Sequence, residues 1–251
     1  MKRLAWPALG GPLHKLTAGY RNLVAQCSTP GVMPPQMPFL RGFLRLIAHT
    51  WVYIQVGRIE VVGKERLLVP GKVVLCANHS SYFDALILID IVPYPARYMA
   101  SHDQFSGLGG IRALVMAACG AFAVDRSRGA DVMPAAIAAL VQERALAIFP
   151  EGRINSDGKL GTLKSGAARI ALGASKQLDG KEPVYLLTAQ IHYNKRHVPS
   201  AQGGYGKMAF HWRGGAVVTI GIAKEVSEFK TENPAIISEW LRESFASARQ
   251  N

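Results

Sequence analysis

Cysteine is scarce. Three occur in 251 residues, at Cys27, Cys76 and Cys119, widely spaced and without a CxxC pair. An odd, scattered set argues against a disulfide framework or a structural zinc site and fits a reducing, cytosolic setting. Acidic residues are also few, 17 Asp+Glu against 29 Lys+Arg, for a formal net charge of +12. An anionic partner follows, either nucleic acid or an acidic lipid surface. Aromatic residues make up 8% of the chain, and no basic run is interleaved with Phe or Tyr as a base-stacking groove requires, which favours lipid. No apolar run reaches the roughly 18 residues of a spanning helix, so a membrane would be met at its surface. Met1-Lys2-Arg3 is basic like an export signal, but Pro7, Gly10, Gly11 and Pro12 break the apolar stretch that has to follow.

Several chemical signatures are missing too. There is no GxSxG nucleophile elbow. Gly107-Leu108-Gly109-Gly110 is not a dinucleotide fingerprint, and Gly203-Gly204-Tyr205-Gly206-Lys207 lacks the first glycine of a phosphate loop. His192 and His197 do not have the i, i+4 spacing of a helical zinc pair, so no metal is expected.

What is present is a chain 49% hydrophobic, enough for a sizeable core in one domain. Prolines at irregular intervals up to Pro38 predict a loosely ordered leader. From Phe39 to Val56 the residues are strongly apolar, with Arg41, Arg45, His49 and Gln55 gathered in an arc of about 120°. That pattern is an amphipathic helix. It reads either as a core helix with one wet edge or, preferred here, as an interfacial helix whose arginines meet phosphate headgroups while Phe, Leu and Trp enter the acyl boundary.

Beyond it, short β-branched runs alternate with helical patterns, predicting a single α/β domain with a mixed, mostly parallel sheet flanked by helices. Strands are expected at Arg58–Val62, Val73–Ala77, Arg97–Ala100, Ala121–Val124, Ala145–Phe149, Val184–Gln190, Lys207–Trp212 and Ala216–Ile222, and helices at Tyr82–Ile91, Ala130–Gln142, Ser165–Ser175 and Pro234–Ala248.

The run Val73-Val74-Leu75-Cys76-Ala77 empties into Asn78-His79-Ser80-Ser81-Tyr82-Phe83-Asp84, the strand end at which α/β folds keep their sites. With His79 in the turn and Asp84 in the next helix's first turn, the carboxylate can fix the tautomer of the imidazole and support its charged form. Such a pair without an activated Ser or Cys suits a general base that deprotonates an attacking hydroxyl. Ser80 and Ser81 read as the cap of the following helix. Two more strand-to-turn segments end in arginine, Gly120 to Arg126 and Ala147 to Arg153, a placement suited to bidentate phosphate recognition. Arg128, Lys159 and Lys164 lie close by in sequence, enough for an anion pocket.

These motifs resemble the glycerolipid acyltransferase family, the group containing 1-acylglycerol-3-phosphate acyltransferases. Its first motif is matched by Asn78, His79 and Asp84, its second by Gly120 through Arg126, and its third by Phe149, Pro150, Glu151 and Gly152, over roughly Gly57 to Ile222. The resemblance implies that His79 is the base, Asp84 its orienter, and Arg126, Glu151, Gly152 and Arg153 the acceptor-phosphate pocket. Glu151 is expected to organise the arginines rather than touch the phosphate, since two anions repel. It further implies a fatty acyl donor, acyl-CoA or acyl carrier protein, as co-substrate with no other cofactor. The acceptor would be a lysophospholipid, foremost lysophosphatidic acid giving phosphatidic acid in phospholipid biosynthesis, on the cytoplasmic face of a membrane as a peripheral or monotopic protein. On that reading residues 1–56 are the leader and membrane-association helix, and 57–251 the acyltransferase domain. Two positions depart from the pattern. Arg153 follows Gly152 directly, leaving Ile154 where the family's arginine stands, and Leu186 occupies the place of a strand proline. Other hydroxylated acceptors, a thioesterase or lipid hydrolase using water, and a non-catalytic binder of anionic lipid or nucleic acid are the alternatives.

Overall fold

A computed structural model describes residues 12–35, 37–125, 127, 129–155, 159–194 and 213–248. Two helices come first, α1 (Pro12–Ser28) and α2 (Pro38–Gln55), followed by β1 (Ile59–Val62) and β2 (Lys72–Ala77). Then helices and strands alternate: α3 (Phe83–Ile91), β3 (Ala96–Ser101), α4 (Ile111–Ala118), β4 (Ala121–Val124), α5 (Gly129–Gln142), β5 (Ala145–Ile148), α6 (Gly166–Leu178) and β6 (Val184–Tyr193). The chain closes with β7 (Ala216–Ile220), the two-residue β8 (Lys224–Glu225) and α7 (Pro234–Ser247).

The strands form one sheet in the order β1-β7-β6-β2-β5-β3-β4, with β8 against β6. From β6 to β4 every neighbour is parallel; β7 and β8 run antiparallel to β6, and β1 is parallel to β7. The fold is therefore a single α/β domain with a mixed, mostly parallel sheet, as the alternation of runs predicts. β2 shows why its sequence is apolar at nearly every position. Val73, Leu75 and Ala77 enter the core under α1 to α4, whereas Val74 and Cys76 enter the core under α5 to α7. A strand covered on both faces reads as a continuous hydrophobic run.

Several expectations change. Pro12–Ser28 is helical and not loose: no proline interrupts residues 13–29, Pro12 sits where a first-turn proline is tolerated, and Cys27 is buried in the core. α4 was not anticipated; it is eight residues long and follows the glycine-rich turn at 107–110. The strand expected at 207–212 lies outside the described residues. Leu186 is fully buried and pairs with Val74 on one side and Lys224 on the other, so a residue with a backbone N–H stands where proline would remove a ladder bond.

α2 has the expected periodicity but the opposite orientation. Arg41 donates to the Ala96 carbonyl at 2.9 Å, Arg45 to the Asp90 carbonyl at 2.6 Å, and His49 Nδ1 lies 3.0 Å from the Asp90 carboxylate. Ala48 and Val52, also on this edge, are buried. The polar arc thus faces the domain instead of lipid headgroups. The side left outside carries Phe39, Phe43, Leu46, Ile47, Trp51, Tyr53 and Ile54, with Phe39 95% exposed. Among the described residues no helix is long and apolar enough to cross a membrane.

Candidate active site

β2 lies between β5 and β6, and the chain leaves β2 through α3 over one face but leaves β5 through α6 over the other. The turns after these neighbouring strands therefore meet at the carboxyl edge of the sheet, where open α/β sheets form their crevices.

In that place His79 Nδ1 lies 3.0 Å from Asp84 Oδ2. The same Oδ2 accepts the backbone N–H groups of Ser80 at 2.6 Å and Ser81 at 2.8 Å, while Oδ1 accepts the Tyr193 hydroxyl at 2.6 Å. Asp84 is fully buried, so its charge is balanced by donors and not by water. Because a carboxylate has only acceptor sites, the facing Nδ1 carries the imidazole proton and Nε2 is left to take another. His79 is 14% exposed in its side chain and stacks on Phe149, with ring centroids 3.9 Å apart and planes 14° apart.

The turn after β5 clasps the backbone of His79. Glu151 Oε1 accepts the His79 N–H at 2.8 Å, and the His79 carbonyl accepts the Asn155 N–H at 2.7 Å. Glu151 Oε2 accepts the Gly161 N–H at 2.7 Å and the Asn155 side-chain amide. A Cβ at Gly161 would press on the Asn155 amide and on Glu151 Oε2, so a larger residue there requires both side chains to shift. Gly152 has φ of +66°, and a Cβ there would approach Lys164 Nζ to 2.9 Å. On the other flank the Asn78 side chain holds β6, donating to the Ile191 carbonyl at 3.0 Å and accepting its N–H at 2.6 Å.

The acyltransferase family model matches residues 58–191, just over half of the chain. The chain belongs to the acyltransferase family. Two curated relatives, each named 1-acyl-sn-glycerol-3-phosphate acyltransferase alpha, come from Mus musculus and Homo sapiens. Each is 26% identical over 158 residues, covering 61% of this chain and 53% and 54% of theirs. The chain thus spans about half the length of the curated relatives it matches. A solved structure titled as the 1-acyl-sn-glycerophosphate (LPA) acyltransferase PlsC from Thermotoga maritima superposes with a TM-score of 0.57 at 18% identity. The match covers 84% of this chain and 78% of that one, and it shows the shared fold.

Glu151 is buried, and its hydrogen-bond partners among the described residues are the loop amides just named, whereas Arg126, one of the arginines it is expected to organise, lies outside the described residues. Arg153 is exposed two positions further along the same turn, and the Lys164 side chain lies over Gly152. Arg126 and Arg128 lie outside the described residues. Among the described residues no three His, Cys, Asp or Glu side chains gather as metal ligands. Two surface clefts, of about 470 and 480 Å³, lie by Tyr53, Arg58 and Arg213 and by Ile222, Lys224 and Trp240 respectively; neither His79 nor Asp84 lines either. Sequence reasoning missed Tyr193, Phe149 as a stacking partner, and Asn155. Of these only Phe149 stood inside a quoted motif.

Proposed function

We propose that this chain is a lysophospholipid acyltransferase, with 1-acylglycerol-3-phosphate as its foremost acceptor and phosphatidic acid as its product. The observation that carries the reading is the 3.0 Å contact between His79 Nδ1 and the buried Asp84 carboxylate, at a strand end in a chain of the acyltransferase family. The names of its curated relatives support the choice of acceptor.

In this mechanism His79 Nε2 takes the proton of the acceptor hydroxyl as that oxygen attacks the thioester carbonyl of acyl-CoA or acyl carrier protein. The imidazolium, supported by Asp84, returns the proton to the departing thiolate as the C–S bond breaks and the ester forms. No cofactor beyond the acyl donor takes part. Arg126, Arg153 and Lys164 hold the acceptor phosphate, and the Gly152 turn lets Lys164 approach. The outward apolar side of α2 docks on the cytoplasmic face of an anionic membrane, with residues 1–56 as the membrane-association part and 57–251 as the acyltransferase domain.

The test is transfer by purified protein from acyl-CoA and from acyl carrier protein onto a lysolipid panel. Phosphatidic acid formation is expected, with His79→Ala lowering turnover about 10²–10⁴-fold. Folded protein that acylates no lysolipid overturns the proposal, and fatty acid release independent of lysolipid replaces it with a hydrolase.

A further inference from the structure

The strand β6 reaches beyond what the family pattern accounts for. It is ten residues long, and its last residue, Tyr193, lies two positions past the matched span of 58–191. We infer that Tyr193 is a positioning residue for the dyad: its hydroxyl fixes Asp84 Oδ1 so that Oδ2 is presented to His79 Nδ1.

The inference rests on the general-base reading above and deepens it. Asp84 has two oxygens with different work. Oδ2 already serves His79 and the amides of Ser80 and Ser81, whereas Tyr193 is the partner of Oδ1 at 2.6 Å. The terminal torsion of an aspartate is broad and soft, so a carboxylate held on one oxygen alone can turn away from the imidazole. Without the phenol, Oδ1 would be a charged acceptor buried without its partner, a costly arrangement that favours such a rotation.

Three further observations fix the brace. The two-way clasp between Asn78 and Ile191 sets the register of the end of β6 against the turn that bears His79. Ser81 hydrogen-bonds the phenol and also accepts the Phe83 N–H at 3.2 Å, tying Tyr193 to the start of α3. Burial first, and then the neighbouring Asp84, push the Tyr193 phenol well above its ordinary range, so it stays protonated and keeps donating. The result is a connected set in which Ser81 bonds Tyr193, Tyr193 donates to Asp84 Oδ1 and His79 Nδ1 faces Oδ2, so the carboxylate is held at both oxygens.

Tyr193→Phe removes one hydroxyl and keeps the ring. The expected result is a roughly ten- to hundredfold fall in kcat, the loss of a hydrogen bond to a charged group, with both KM values unchanged. The His79 Nδ1 proton resonance should move from its wild-type position. Wild-type kcat, or a loss carried by KM alone, overturns the inference. Should the Phe variant not fold, 3-fluorotyrosine at position 193 makes the phenol a stronger donor and should shift the same resonance in the opposite direction; an unmoved resonance is fatal. His79→Ala separates the two claims. If it retains full turnover the general-base reading fails, whereas an inactive His79→Ala beside a fully active Tyr193→Phe defeats only the role given to Tyr193.

Discussion

Two buried carboxylates stand within one turn of His79 and hold different parts of it. Asp84 meets the ring, and Glu151 meets the main chain. Removing the Glu151 side chain, a residue only 4% exposed, leaves the amides of His79, Gly161 and Asn155 without their acceptor. Unmet buried donors cost about 1–3 kcal/mol each before water or neighbouring groups compensate. Glu151→Ala should therefore lower both thermal stability and kcat, because the His79 turn loses its anchor. Arg153→Ala, at an exposed position, should leave the melting temperature unchanged and raise KM for the lysolipid. Thermal melts combined with steady-state rates at varied acceptor concentration check both. If Glu151→Ala changes only acceptor KM, the carboxylate belongs to the substrate pocket and the structural role assigned to it is wrong.

At the scale of elements, α2 shows what periodicity reveals and what it leaves open. The spacing of Arg41, Arg45 and His49 correctly places these residues on one side of one helix, and the helix bounds agree within a residue. Periodicity does not say which side faces the domain, because that depends on acceptors 41 to 55 residues away, at Asp90 and Ala96. Long-range partners also hid Tyr193, which is 109 residues from Asp84, although both strands carrying the site were legible from their apolar runs. The inward arginines alter the membrane experiment. Phe43→Asp, Leu46→Asp and Trp51→Asp should each weaken vesicle co-sedimentation about tenfold or more, from roughly 1.5–3 kcal/mol per buried apolar side chain. Arg41→Ala should cost stability and leave vesicle affinity intact. Equal loss of vesicle binding from Arg41→Ala would restore the headgroup-facing orientation. Deleting residues 1–56 is a poorer test, since Cys27, Val52 and Val56 belong to the core and their removal disturbs the domain itself.

Across the whole molecule, the layer between the sheet and α1 to α4 collects phenols that folding keeps neutral. Tyr98 and Tyr193 belong to that core, and Tyr94 packs against it. Burial pushes the Tyr94 phenol up to about 12, opposed by nearby Arg144, and burial likewise raises Tyr98 and Tyr193. A group whose folded pKa lies above its unfolded value stabilises the native state below the unfolded pKa, here about 10. That stability is lost as pH climbs from there through the folded value. Unfolding free energy from denaturant titrations should therefore decline above about pH 10. Lysine deprotonation begins in the same range and relieves the self-repulsion of a chain with net charge +12, so the readout must be a difference between two proteins that share it. Tyr94→Phe supplies that comparison. The Tyr94 hydroxyl is buried without a hydrogen-bond partner among the described residues, so its removal should raise stability at neutral pH by about 1 kcal/mol. The gap between variant and wild type should then widen as pH rises past 10, because only the wild type has that buried phenol to ionise. A gap that is constant from pH 7 to about 11 would show that Tyr94 is solvated, and would remove it from the set of groups that make this layer sensitive to alkali.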